Sequence, residues 1–91
     1  MESSPTPQEL DERLTKAQEA VTVGSHYAHY RDPEKHYKVL SLALLESSLE
    51  PCVVYQAQYG DRLTWVRALN DWASTVSLDS GKKVDRFQKI P

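Results

Sequence analysis

Apolar residues in the first part of the chain recur at helical spacing. Four of them define one stripe: Leu10, Leu14, Ala17 and Val21. The stripe predicts an amphipathic helix. Its start is marked by Thr6 as the N-cap, Pro7 at the first helical position and Glu9 as the second half of a capping box. Gly24 is a stop signal. We therefore predict an N-terminal unit, 1–23, made of a frayed tail over the first five residues and one helix.

Beyond this helix the pattern changes to alternating aromatic and β-branched residues. Five segments have the composition of strands, namely 26–31, 36–45, 52–59, 63–69 and 83–90. Turn residues separate them: Asp32-Pro33, Ser47–Pro51, Gly60-Asp61, a short and partly helical turn from Asn70, and Asp79–Gly81. Short strands joined by short loops favour a small antiparallel barrel or a strongly bent sheet over 24–91.

The second strand segment, 36–45, is apolar at both odd and even positions. Either a strand buried on both faces or a helical segment produces such a pattern. We predict one long strand. Its second face would be covered by the N-terminal helix through Leu10 and Leu14.

The third and fourth segments are expected to pair as a hairpin around Gly60. A three-residue loop would place Tyr55 opposite Arg67 and Ala57 opposite Trp65. A two-residue loop would shift the register by one residue and remove the pairing of Tyr55 with Arg67.

In the first register, Tyr55, Trp65 and Arg67 share one face of the sheet. A guanidinium on a tyrosine ring beside an indole would form a patch for an extended acidic or aromatic ligand. The alternative is that Arg67 only closes the barrel end through an ion pair with Asp61 or Asp71. Both interpretations remain open on the sequence alone.

Composition and charge narrow the function classes. The chain has 91 residues, of which 40% are hydrophobic and 26% charged, with a net charge of −2. These values fit one small globular domain and argue against a generic duplex-DNA binder. The longest nearly apolar run, Val39 to Leu45, is too short to cross a membrane, and no secretory signal is visible at the start. Cys52 is the single cysteine, so no internal disulfide forms, and a reducing, cytoplasmic compartment is expected.

Enzyme chemistry finds little support in the residues. His26 and His29 would lie on opposite strand faces, and His36 has no cysteine near it, so no metal site is predicted. Cys52 lies in the apolar run Cys52–Tyr55, where a thiol behaves as an inert hydrophobe. The glycines form no phosphate loop. We therefore predict no enzymatic activity and no cofactor.

The order of motifs resembles a family known as domain of unknown function 1653. The matching stretches are His29-Tyr30, Tyr37–Leu40, Glu50–Tyr55, Tyr59–Asp61, Trp65–Arg67 and Arg86-Phe87. The resemblance implies a small SH3-like β-barrel, and it implies no established activity or partner. Together with the five predicted strands, it gives a mainly β fold: a five-stranded antiparallel SH3-like barrel that follows one N-terminal helix. The chain departs from the family pattern at Leu45 and Ser47, where a histidine and a glutamate are usual, and at Ala68, where a proline is usual.

The leading functional prediction is a noncatalytic module that binds a protein or peptide. The candidate binding residues are Tyr55, Trp65, Arg67, Tyr30 and His29. A nucleic-acid-associated barrel is the alternative, because small barrels often present stacking aromatic side chains. We expect no membrane association, and a monomer or a weak homodimer through the N-terminal helix.

Overall fold

The computed structural model describes residues 4–91 and shows a mainly β protein with an N-terminal helix. The elements are α1 (Pro7–Ala20), β1 (His26–His29), β2 (Asp32–Leu44), β3 (Pro51–Ala57), β4 (Thr64–Ala68), α2 (Leu69–Trp72), β5 (Thr75–Ser77), β6 (Lys83–Asp85) and β7 (Phe87–Lys89). Five strands form an antiparallel sheet in the order β4-β3-β2-β1-β7, and β5 pairs with β6 separately. No pairing joins β4 to β7 within residues 4–91, so the sheet is not closed into a barrel.

Helix α1 begins where the capping box predicts. The Thr6 hydroxyl accepts a hydrogen bond from the Glu9 backbone N–H at 3.2 Å, and Pro7 is the first helical residue. The helix ends at Ala20, because Val21 is already extended (φ −134°, ψ 126°), so the predicted end near Gly24 is too late. The tail predicted to fray falls largely on residues 1–3, which lie outside the described residues.

A β-bulge in β2 explains why that segment is apolar at both odd and even positions. Val39 pairs with Tyr55, but Ser41 pairs with Val54, so Leu40 has no partner across the strands. The extra residue switches the alternation: Val39 faces the core before the bulge, and Leu42 packs against the core after it. The prediction of one long strand is confirmed.

The helix covers the sheet differently from the prediction. Leu10 and Leu14 are only half-buried, whereas Ala17 and Val21 are each 1% exposed. Val21 belongs to the same core cluster as Val39. The N-terminal segment therefore packs against the sheet mainly at the C-terminal end of α1 and at the residue just after it.

Two predicted boundaries are wrong. Asp32 and Pro33 lie inside β2, and the chain turns two positions earlier, at Tyr30-Arg31. The predicted strand 83–90 is split at Arg86, whose N–H donates to the Ser74 carbonyl. There the chain leaves the pairing with β5, a strand that the sequence did not predict, and joins the main sheet beside β1.

Aromatic rings fill the core of the domain. Trp72 from α2 stacks on Phe87 of β7, with ring centres 3.8 Å apart and an interplanar angle of 3°. Tyr27 and Tyr55 meet the indole edge to face at 5.3 and 4.9 Å. Among residues 4–91, no helix is long and apolar enough to cross a membrane.

Candidate functional site

Five side chains from the middle of the sheet line a concavity of about 270 Å³, which we call the aromatic groove. They are Tyr37 of β2, Tyr55 of β3, Tyr59 of the β3–β4 loop, and Trp65 and Arg67 of β4. Tyr55 forms the buried floor, whereas the Trp65 side of the groove is open, with that residue 50% exposed. The groove thus combines a rigid base with an accessible aromatic wall.

The β3–β4 hairpin brings these residues together in a register that the sequence did not predict. Tyr55 pairs with Trp65, and Val53 pairs with Arg67, so the predicted pairing is wrong by two residues. The loop is longer than expected, because both Gly60 (φ 57°) and Arg62 (φ 53°) adopt left-handed backbone conformations. A shift of two residues preserves the face of each side chain, so Tyr55, Trp65 and Arg67 still lie on one face.

The tyrosines of the groove hold each other in place. The hydroxyls of Tyr37 and Tyr59 are 2.7 Å apart in a hydrogen bond, and the two rings meet edge to face. Burial and this hydrogen bond raise the pKa of Tyr37 to about 12, so its hydroxyl stays protonated at neutral pH. The Lys35 ammonium lies 5.1 Å from the ring centre of Tyr59, at the rim of the groove, and pairs there with the Asp32 carboxylate at 3.6 Å.

Arg67 connects the groove to the neighbouring elements. Its Nε donates to the Tyr55 hydroxyl at 3.4 Å, and its Nη1 donates to the Asp71 carboxylate at 2.7 Å. The guanidinium carbon lies 5.2 Å from the ring centre of Phe87, so the predicted stacking on the Tyr55 ring is wrong. Of the two ion pairs considered for Arg67, the one with Asp71 forms.

Positive charge exceeds negative charge beside the groove. Asp71 also faces the Arg86 Nε at 3.7 Å, so a single carboxylate serves two guanidinium groups. Burial, followed by the charges of Arg67 and Arg86, lowers the pKa of His29. The Nδ1 atom of His29 accepts a hydrogen bond from the Arg31 N–H at 3.2 Å, which is consistent with a neutral ring.

The five predicted site residues do not all meet. Tyr55, Trp65 and Arg67 line the aromatic groove. His29 does not line it, and its ring centre lies 5.0 Å from that of Phe87. Tyr30 contacts His29, and both residues line a separate concavity with Pro33 and Leu78. No observation on these residues tests a binding role, which stays a prediction.

Four residues of this region were not among the predicted site residues: Tyr37, Tyr59, Asp71 and Arg86. Three of them, Tyr37, Tyr59 and Arg86, lie in the stretches that resemble the family, and this resemblance could have identified them. Asp71 lies outside those stretches and was considered only as an ion-pair partner of Arg67. Its position between two arginines depends on α2, which follows β4 directly.

Among residues 4–91, no three histidine, cysteine or acidic side chains lie close enough to hold a metal ion. The single thiol, Cys52, is 3% exposed, and its Sγ lies 3.8 Å from the Glu50 carbonyl oxygen. Burial and the charge of Glu50 raise the pKa of this thiol. Neither observation provides an activated nucleophile.

We expect Cys52 to resist thiol reagents in the folded protein, because the buried thiol is protonated and shielded. Incubation with a chromogenic disulfide reagent at neutral pH should label far less than one thiol per chain over the time in which the denatured protein is fully labelled. Rapid stoichiometric labelling without denaturant would show that the thiol is accessible and reactive.

Comparison with known proteins adds a family match and one structural relative. The sequence model of a family described as "Protein of unknown function (DUF1653)" matches residues 25–89. A crystal structure of a protein belonging to DUF1653 from Bordetella bronchiseptica is similar, with 30% sequence identity and a TM-score of 0.63. The alignment covers 74% of this chain and 85% of that one. No curated protein matches the chain.

Proposed function

The chain belongs to the DUF1653 family, to which no function is assigned, and we propose that it is a noncatalytic module that binds an extended acidic segment of a partner protein in the aromatic groove. The observation that carries this proposal is the indole of Trp65. It is half-exposed on a sheet whose other aromatic rings at this point are packed against one another.

An exposed indole in a preorganised setting is a typical binding anchor. Tryptophan and tyrosine bury a large apolar area and lose few rotamers when a partner covers them. Tyr37, Tyr55 and Tyr59 are already fixed by ring contacts and by the hydroxyl hydrogen bond, so a ligand would not have to order them. The favourable free energy of binding would therefore come mainly from burial of the exposed Trp65 indole.

The charges around the groove indicate the kind of partner. Arg67 and Arg86 share the carboxylate of Asp71, and Lys35 pairs with Asp32 at 3.6 Å, so three cationic side chains face two carboxylates. Complementary charge favours an acidic segment and speeds its association. The acidic ligand is therefore a better match than the purely aromatic one.

The environments of the serine and cysteine side chains support the noncatalytic part of the proposal. Within residues 4–91, no serine or cysteine side chain is hydrogen-bonded to a histidine, and the Cys52 thiol is buried. A nucleophile without a neighbouring base is not activated. The free thiol also fits the cytoplasmic location that we propose for the module.

The finer architecture is part of the same proposal. We infer an SH3-like barrel that is completed by side chains rather than by backbone pairing. Arg67, on the edge strand β4, lies over the ring of Phe87, on the edge strand β7. Asp71 joins Arg67 to Arg86, the residue before β7, so the gap between the two edges is bridged.

A phage-displayed library of random linear peptides, selected on the immobilised full chain, tests the function. We expect acidic sequences to be enriched on the wild-type protein and lost on Trp65→Ala. Leu45→Ala is the matched control, because Leu45 is also an exposed large apolar residue but lies in the β2–β3 loop, away from the groove. Thermal unfolding of both variants shows that each is folded.

Three results would contradict the proposal: no enriched sequence, basic sequences, or enrichment that survives Trp65→Ala. A single-stranded oligonucleotide titrated at two salt concentrations tests the nucleic-acid alternative. Binding that weakens steeply with salt and disappears in Trp65→Ala would favour that alternative, because phosphate contacts are strongly salt-dependent.

A further inference from the structure

Strand β4 is an edge strand with one row of unpaired backbone groups. Its inner side pairs with β3, and no strand within residues 4–91 pairs with its outer side. The Ala57 N–H donates to the Leu63 carbonyl, which sets the phase of this ladder. By antiparallel alternation, the N–H and C=O groups of residues 63, 65 and 67 point to β3, whereas those of Thr64, Val66 and Ala68 point away.

The side chains along this edge are unusually apolar for an exposed strand. Leu63 is 55% exposed, Trp65 50% and Val66 61%. Residues 64–68 contain no lysine and no proline, and their register with β3 has no bulge, so several of the usual protections of an edge are missing. Arg67 is the one charged residue of this segment, and it pairs with Asp71. Such an edge is suited to pairing with another strand.

We propose that β4 binds its partner by antiparallel strand addition. From its N-terminal to its C-terminal end, the partner segment has an acidic residue, a β-branched residue and an aromatic residue. This inference rests on the proposed function and specifies the ligand of the same site. The register follows from the backbone: the central residue of the segment sits opposite Val66 and exchanges both hydrogen bonds with it. Its neighbours then sit opposite Arg67 and Trp65.

Each of the three positions meets different chemistry. The first residue lies on the groove face opposite Arg67, where Asp71 leaves part of the arginine charge uncompensated. The second lies on the outer face, where Val66 pairs with Val54 and a β-branched side chain extends that apolar row. The third lies opposite Trp65, and an aromatic ring there covers the exposed indole.

Fluorescently labelled short peptides with a glutamate–valine–phenylalanine core, titrated by anisotropy into the wild-type protein, test this register. N-methylation of the valine nitrogen removes a hydrogen bond to Val66 and should weaken binding by about tenfold or more. N-methylation of the phenylalanine nitrogen is the matched control, because that N–H points away from β4, and it should change affinity by less than about threefold.

Two further peptides test the side chains. A valine–glutamate–phenylalanine core has the same composition but moves the acid to the outer face, and it should bind about tenfold more weakly. Replacement of the glutamate by lysine should abolish measurable binding, because lysine would face Arg67. All four comparisons use the unaltered protein, so a folding defect cannot explain the result.

The outcomes separate this inference from the proposed function. If the two N-methylated peptides bind as well as the unmethylated one, strand addition is wrong, but the proposal that the groove binds an acidic peptide stands. Absence of binding by any acidic peptide would overturn both. The remaining alternative is that a second copy of this chain binds the β4 edge, and analytical ultracentrifugation tests it. A stable dimer that the glutamate–valine–phenylalanine peptide does not dissociate would overturn the inference.

Discussion

Replacing Trp72 by alanine is expected to lower the free energy of unfolding by about 3–5 kcal/mol. The indole is 3% exposed, stacks on Phe87 at 3.8 Å and meets Tyr27 and Tyr55 edge to face. Its removal would leave a cavity among rings that α2 and the sheet hold in place, so the core could collapse only in part. Guanidinium denaturation followed by circular dichroism measures the change.

Two substitutions make this result specific. Trp65→Ala removes the other tryptophan, which is half-exposed, and should cost about 1 kcal/mol or less. Trp72→Phe retains a ring opposite Phe87 and should cost less than the alanine substitution. Equal losses for Trp65→Ala and Trp72→Ala would show that the stack is not the centre of the core.

Local signals in the sequence predicted the elements that local interactions determine. The start of α1 depends on Thr6, Pro7 and Glu9, which are all within one turn, and the structure confirms it. The alternation in β3 is equally local: Tyr55 and Ala57 are buried on one face of a regular strand. Neither the start of α1 nor the alternation in β3 depends on a contact with residues far away in the sequence.

Features that depend on distant contacts could not be predicted in the same way. The bulge at Leu40 follows from the pairing of β2 with β3, and nothing in residues 36–45 alone marks the extra residue. The same holds for the break at Arg86, where the chain changes from pairing with β5 to pairing with β1. Both features redirect side chains, so errors of this kind affect whole segments rather than single residues.

The candidate site falls between these two cases. Tyr55, Trp65 and Arg67 lie on one face because strand alternation survives a register error of two residues. The ring that carries the Arg67 guanidinium is Phe87, which comes from the far edge of the sheet, and no pattern near Arg67 indicates that contact. The sequence thus predicted which side chains share a face, and the tertiary fold decides what they touch.

The predicted division of the chain into an N-terminal helix and a β unit leads to the second large expected effect. Removing residues 1–20 should leave a protein that unfolds cooperatively, with a loss of about 1–3 kcal/mol, because this part buries Ala17 fully but Leu10 and Leu14 only in part. Removing residues 1–23 should cost about 1.5–3 kcal/mol more. The additional loss comes from Val21, which lies after the helix and is 1% exposed in the same core cluster as Val39 and Val53.

Thermal and urea unfolding of the two truncated proteins beside the full chain measure these losses. The Thr22 N–H also donates to the Tyr27 hydroxyl at 3.0 Å, so the longer deletion removes a hydrogen bond from a core tyrosine. Val21→Ala in the full chain separates the two contributions, because it empties the same core position while leaving the backbone of Thr22 in place. Equal stability of the two truncated proteins would place Val21 outside the core. Loss of a cooperative transition on removal of residues 1–20 alone would make α1 an integral part of the β unit, since the sheet would then need the helix to hold its strands together.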